Sequence, residues 1–246
     1  MAELVDGVVK RMQDRQSGLK NPHHRFFLGT YLRTTAAVGK AVDDAAFEDP
    51  DWVQQWDVAF AELYLDALDA LEDKHSAGVP RPWRLAFEAP PELPALRHVL
   101  LGINAHVNYD LPQAMLEVIS DSDFNNPALL KRRQRDHERI DAVLASRVSA
   151  EDEELKAAGS GRAAVDRLLT PLNRLGSKRF LREARQKVWH NTLELQQARI
   201  EGPDAYLVRL AELELLSAAR IADLLAPGQV ILRLAVAGFG VVLPPA

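Results

Sequence analysis

His106, Asn108 and Asp110 sit inside Val99–Met115, VLLGINAHVNYDLPQAM, a run that otherwise reads as buried helix. At ~100° per residue, His106 and Asp110 fall within or beside the arc held by Val99, Leu100, Ile103 and Val107, so both are expected to point inward. His98, Gly102, His106 and Asp110 form an i, i+4 ladder, and Asn104 with Asn108 makes a second ladder on another face. Burying an unpaired amide costs about 1–3 kcal/mol and a lone carboxylate more, so this cluster must be satisfied by partners, water, a metal or a ligand.

Two chemistries suit such a cluster. A neutral imidazole paired to a carboxylate is a general base whose tautomer and basicity the carboxylate sets. Alternatively His106 and Asp110 ligate a divalent metal, with His190 as a further ligand, and a bound water becomes the nucleophile. The competing reading is a hydrogen-bonded core network that does nothing but fix helix packing. On the catalytic reading His106, Asp110 and Asn108 are the reacting set. Asn104, Tyr31, Tyr64, Trp83, Arg182 and Arg185 are candidates to bind a partly hydrophobic substrate, the arginines through an anionic group.

Three histidines precede a carboxylate by four residues: His106 with Asp110, His137 with Asp141, and His190 with Glu194. On helices that spacing puts both groups on one face, as does the i, i+3 pair Glu72 and His75. His137 lies in KRRQRDHERID, a neighbourhood so charged that a solvated surface pair is expected, and His75 is expected near an exposed helix end. His190 adjoins Trp189 among partly apolar residues, where a satisfied core histidine competes with a ligand. Trp52 and Trp56 read as packing residues.

The elements that position these residues are helical. Ala, Leu, Arg and Glu dominate, and few alternating β-branched runs occur before residue 229. Helices are expected over about 2–16 and 26–43, then from Asp49-Pro50 to about Lys74 with Asp49 as cap. A short helix follows at 83–87 within the proline-rich stretch 79–94. The His106 helix kinks after Asp110 because Pro112 lacks an N–H, and Pro127 opens a helix to about Val148. Residues 149–161 read as a surface helix or linker. Long helices follow over 163–201, with a break at Gly176, and 203–225. The expectation is an all-α, single-domain bundle of about seven to nine helices spanning residues 1–246.

Composition narrows the function further. The chain has 246 residues and no cysteine, which removes thiol nucleophiles, disulfides and cysteine zinc sites. A net charge of −5 and short basic runs without stacking aromatics leave no footprint for nucleic acid. No Walker A loop, dinucleotide GxGxxG or GxSxG elbow occurs, so no nucleotide cofactor is implied. The N-terminus lacks the apolar core of an export signal, so a cytoplasmic location is the default expectation. The apolar segment 229–246 is too short and interrupted to span a bilayer, and is expected to pack on the protein or on a partner, a homodimer contact included.

GINAHVNYDLP, together with RFFLGTYLRTT, DVAFAELYLDAL, PRPWRLAF and REARQKVWHNTLEL, resembles an uncharacterised bacterial all-helical family marked by an N-A-H-x-N-x-D-L motif. The resemblance spans most of the chain and implies a site around Asn104, His106, Asn108 and Asp110 without implying a reaction. His106 to Pro112 alone is also similar to a segment of the zinc-dependent phospholipase C and P1 nuclease superfamily. The further downstream histidines of that three-zinc site are absent here. A small-molecule enzyme of hydrolase, lyase or cyclase type is the working expectation, with a non-catalytic ligand-binding or interaction protein as the alternative.

Overall fold

The computed structural model describes residues 2–73, 78–157, 171–228 and 238–245, and among these every regular element is a helix. In chain order they are α1 (Glu3–Gly18), α2 (His24–Asp43), α3 (Pro50–Glu72), α4 (Arg81–Phe87) and α5 (Ala95–Ala105). A π-helical turn (His106–Asp110) leads into α6 (Leu111–Val118), α7 (Asp121–Phe124), α8 (Pro127–Ala157), α9 (Pro171–Glu201) and α10 (Pro203–Leu225). Among the described residues no helix is long and apolar enough to cross a membrane.

Local chemistry sets several of these boundaries. The Asp49 carboxylate accepts from the Trp52 amide at 3.3 Å and Pro50 takes the first position of α3, where its missing N–H costs nothing. Ser120 and Asp123 close a reciprocal capping box on α7. Pro203 opens α10 after Gly202. Where a kink is expected, the helix carries a π-turn, in which the Leu111 amide reaches back five residues to the His106 carbonyl and Pro112 follows at the start of α6.

Along the later helices, α8 runs past Val148 through 149–157, the helical one of the two alternatives for that stretch, while the break expected at Gly176 is corrected: α9 runs through it, because one glycine costs only about 1 kcal/mol in a long helix. Residues 158–170 and 229–237, and His75 within 74–77, lie outside the described residues.

The continuous helix from α5 through the π-turn to α6 is the centre of the bundle. It packs against α2, α3, α4, α9 and α10, while α1 lies across α2 and α3. Trp52, Trp56, Tyr64, Trp83, Leu28, Leu68, Leu101, Leu111 and Met115 are fully buried around it. Each such side chain contributes about 1.5–3 kcal/mol of gross transfer free energy. A second, smaller apolar cluster joins Tyr109, Leu116, Leu195 and Leu213 to Val241 and Leu243, so the end of the apolar C-terminal segment packs on its own chain.

Helix α8 is tied to the start of α3 through Asp136, which is wholly buried. Its two carboxylate oxygens accept from the amides of Glu48 (2.8 Å) and Asp49 (2.7 Å), and Arg139 donates to it at 2.8 Å. Arg135 and Arg139 then grip Glu48, and Arg132 grips Asp49 at 2.9 Å. The charged run of α8 is therefore largely spent on these pairs. His137 is not the surface residue expected: it is buried between Trp56 and Trp189, at ring distances of 6.4 and 5.9 Å. Charge on its neighbours misled the reading because position 137 faces inward with Asp136 and Ile140 while Arg135 and Arg139 reach outward.

Candidate functional site

The central helix presents its two polar ladders to opposite sides. Inward, His106 Nδ1 lies 2.8 Å from Asp110 Oδ2, and the same oxygen accepts from Trp83 Nε1 at 2.7 Å. His106 is 3% exposed and Asp110 is 1% exposed. Aromatic rings enclose the imidazole. Phe60 stacks on it with centroids 3.5 Å apart and planes 5° off parallel, and Tyr31 meets it edge-on at 4.4 Å. Phe27, Trp83 and Tyr64 complete the cage at 5.8, 5.8 and 6.1 Å.

Hydrogen bonding inside the cage is half complete. His106 Nε2 and the Tyr64 hydroxyl are buried without a partner, as is Asp57 Oδ2 beside Tyr31. Burial pushes the Asp57 carboxyl up to about 7 and drives His106 well below its ordinary 6.5. Burial also drives Asp110 well above its ordinary 3.8, against the Trp83 hydrogen bond, which acts the other way. The pair therefore holds one shared proton across neutral pH, with the Asp110 side keeping Nδ1 engaged and Nε2 as the open position.

Next to the cage lies a crevice of about 10 Å³ lined by His23, His24, Phe27, Trp83, His98 and Gly102. A Cβ at position 102 would sit 2.4 Å from the Phe27 ring, so the absence of a side chain there lets Phe27 lie flat on the helix between crevice and imidazole. His23 and His98 stack at 4.9 Å at this end, and His24 Nε2 lies 3.1 Å from the Phe87 carbonyl.

Outward, Asn104 and Asn108 serve a different purpose. Both side-chain amides donate to the Phe239 carbonyl, at 3.2 and 3.1 Å, and Asn108 Oδ1 accepts from the Val241 amide at 3.2 Å. His190 Nε2 lies 3.1 Å from the Leu243 carbonyl, on this outward side, and Glu194 pairs with Arg209 at 2.7 Å. The structure thus gathers Tyr31, Tyr64 and Trp83 around His106 and Asp110, and takes Asn104, Asn108 and His190 to the C-terminal segment. His106 and His190 share no site. Among the described residues no three His, Asp or Glu side chains converge on a metal position, so the donor set does not fit the metal arrangement weighed from the sequence.

Arg182 and Arg185 go to neither place. Arg185 is buried, with Nε 3.0 Å from Asp141 and Nη2 donating to the His137 carbonyl, and burial lowers it to about 10. Arg182 lies 3.6 Å from the same carboxylate. They line a groove of about 600 Å³ between α8 and α9, with His137, Glu138 and Trp189. Sequence reasoning missed Phe60 in the cage, and Asn191 and Glu183 on the outward side. The signal for Asn191 was present, an asparagine beside His190 on a helix face shared with Val188 and Leu195.

The buried pairs set a pH profile for stability. Between about 4 and 6.5 the unfolded chain holds protonated His106 and ionised Asp110, one proton in all, and the folded pair also holds one, so this pair gives no slope. Above 6.5 the unfolded chain loses that proton while the folded pair keeps it, so stability falls as pH rises. Below 3.8 the unfolded chain gains a second proton and stability falls again. Asp57, raised, and His137, lowered, repeat the pattern, with the alkaline loss from Asp57 complete near 7. Denaturant unfolding from pH 3 to 9 should show a maximum near pH 4–6.5 and a loss of about 1.4 kcal/mol per proton per pH unit beyond it. A maximum above pH 7.5 would contradict it.

Fold and site together define an all-α protein organised around one two-faced helix, with a sealed aromatic centre on one side and a strapped segment on the other. Residues 5–227 match a family of unknown function (DUF5995), and the chain belongs to that family. Neither a curated protein nor a solved structure matches it.

Proposed function

We propose that the chain is a small-molecule enzyme in which the His106–Asp110 pair performs acid–base chemistry on a partly hydrophobic substrate. The observation that carries this reading is the unpartnered His106 Nε2, held in an aromatic cage alongside the unpartnered hydroxyl of Tyr64. A network built for packing alone is stable when every member is satisfied, and a half-satisfied one is less stable than an apolar core. Here the satisfied half orients the imidazole, and the unsatisfied half faces the walls that a flat, weakly polar molecule would touch. From the one-proton state of the pair, Nε2–H would donate its proton to such a molecule while the Asp110 proton passes to Nδ1, leaving the carboxylate held by Trp83 Nε1. Entry would follow the crevice beside Gly102, with rotation of Phe27 joining it to the cage.

The second reading, a non-catalytic protein whose network only pins helices, is favoured by the near-complete burial of the ring. One comparison separates them. Wild-type protein and His106→Gln are incubated with the same cell extract, and small molecules bound to or consumed by each are measured by mass spectrometry. The enzyme reading expects a molecule depleted by wild type and untouched by a folded His106→Gln. Identical extracts, with His106→Gln and Asp110→Asn both strongly destabilised, would leave the packing role alone.

A further inference from the structure

We infer that the outward face of the central helix and α9 form a binding groove for an extended polypeptide, in which residues 239–244 are a replaceable occupant. The inference is independent of the chemistry at His106. What marks this face is who supplies the hydrogen bonds. The segment runs extended, with no helix or strand of its own, and its main-chain groups are met by side chains.

Two asparagines act as paired clamps. Asn108 donates to the Phe239 carbonyl and accepts from the Val241 amide. Two residues further along the segment, Asn191 donates to the Val241 carbonyl at 3.0 Å and accepts from the Leu243 amide at 2.9 Å. Each clamp engages one amide and one carbonyl of alternate residues, as a neighbouring strand would. Glu183 accepts from the amides of Phe239 (3.0 Å) and Gly240 (3.3 Å), Lys187 donates to the Gly240 carbonyl at 3.1 Å, and Arg209 donates to the Pro244 carbonyl. All of these contacts read the backbone and none reads a side chain. That is how an added extended peptide gains affinity without sequence, leaving alternate side-chain pockets to supply specificity.

The pockets define the class of ligand. Phe239, Val241 and Leu243 are buried, Phe239 in the main core and the other two against Tyr109, Leu116, Leu195 and Leu213. Val242 points away and is 44% exposed. A Cβ at Gly240 would lie 2.7 Å from the Ala184 backbone, so that position admits glycine alone. The groove therefore takes an extended segment of the pattern aromatic–Gly–apolar–any–apolar.

A second observation separates groove from occupant. Asn104, Asn108, Glu183, Lys187, Asn191 and Arg209 all lie inside the family match of 5–227, whereas the segment they hold lies outside it. In this chain the clamping side chains thus sit on the matched stretch and the main chain they hold lies beyond it. The partner is a protein chain presenting such a segment in trans, with the chain's own C-terminal segment competing in cis.

The test uses the intact chain. Gly240→Ala should unseat the cis segment, after which a fluorescein-labelled peptide of residues 238–246 with the natural sequence should bind in trans and raise its anisotropy saturably. The unlabelled natural peptide should compete, and a peptide carrying Gly240→Ala should bind at least tenfold more weakly. Adding Asn108→Leu or Asn191→Leu to the Gly240→Ala chain should weaken peptide binding at least tenfold each, with helicity unchanged by circular dichroism. In parallel, a protease site placed between Gly228 and Gly238 allows the folded wild-type chain to be nicked, and the labelled peptide should exchange into it. Equal binding of a scrambled peptide, or failure of both the unseated and the nicked chain to take up the natural one, would overturn the proposal. So would unfolding of the nicked chain that added peptide does not reverse.

Discussion

Asp110→Ala should lower stability by about 3–5 kcal/mol, the largest loss expected from any single truncation in this chain. The methyl group leaves Trp83 Nε1 and His106 Nδ1 without their shared oxygen partner in a site that water does not reach. Each unmet nitrogen costs about 1–3 kcal/mol, and the cavity adds to it. Asp110→Asn can keep one oxygen at the position that meets both Trp83 Nε1 and His106 Nδ1, so it should cost less than alanine. Equilibrium unfolding in guanidinium chloride measures both. A loss below 1 kcal/mol for Asp110→Ala would mean that the pair is looser or wetter than its geometry.

Asp136→Ala should cost about 3 kcal/mol or more, although the residue stands far from the cage. Its carboxylate holds two consecutive loop amides and Arg139 in a position with no solvent exposure, and this docks α8 on the start of α3. Removal strands two half-buried N–H groups and turns an arginine pair into a net positive cluster around Glu48. The effect should appear as a lower unfolding midpoint and as faster amide exchange at Glu48 and Asp49. Unchanged exchange there would show that the loop holds itself.

How far the sequence discloses this arrangement depends on the distance over which each contact acts. Asp49 capping α3, the capping box at Ser120, the helical class and the inward turn of His106 and Asp110 follow from neighbours within a few residues, and all of them could be read directly. The destination of Asn108 could not be, because its partner lies 133 residues away and a helical wheel says which way a side chain points but not what stands there. His190 shares the limitation, and so do the arginines at 182 and 185, which pair with Asp141. Phe60 was legible only as one more aromatic on α3, since a stacking partner has no sequence signature. His137 shows how local charge can mislead, because the ion pairs that absorb the charge of Arg132 and Arg135, and one of those of Arg139, are made to distant parts of the chain.

The π-turn has a consequence for chain length. Such a turn is one extra residue threaded into an α-helix. Deleting a residue from a regular helix rotates everything beyond it by about 100°, which would ordinarily misalign a segment as buried as α6. Between His106 and Asp110 a one-residue deletion has the opposite effect: it lets the helix revert to ordinary winding while α6 keeps its face toward α3 and α9. What such a shortened chain gives up is the spacing of the four polar side chains, and with it the ability of a single turn to serve the cage and the strapped segment at once. The helix as packing and the helix as site are thus separable by one codon.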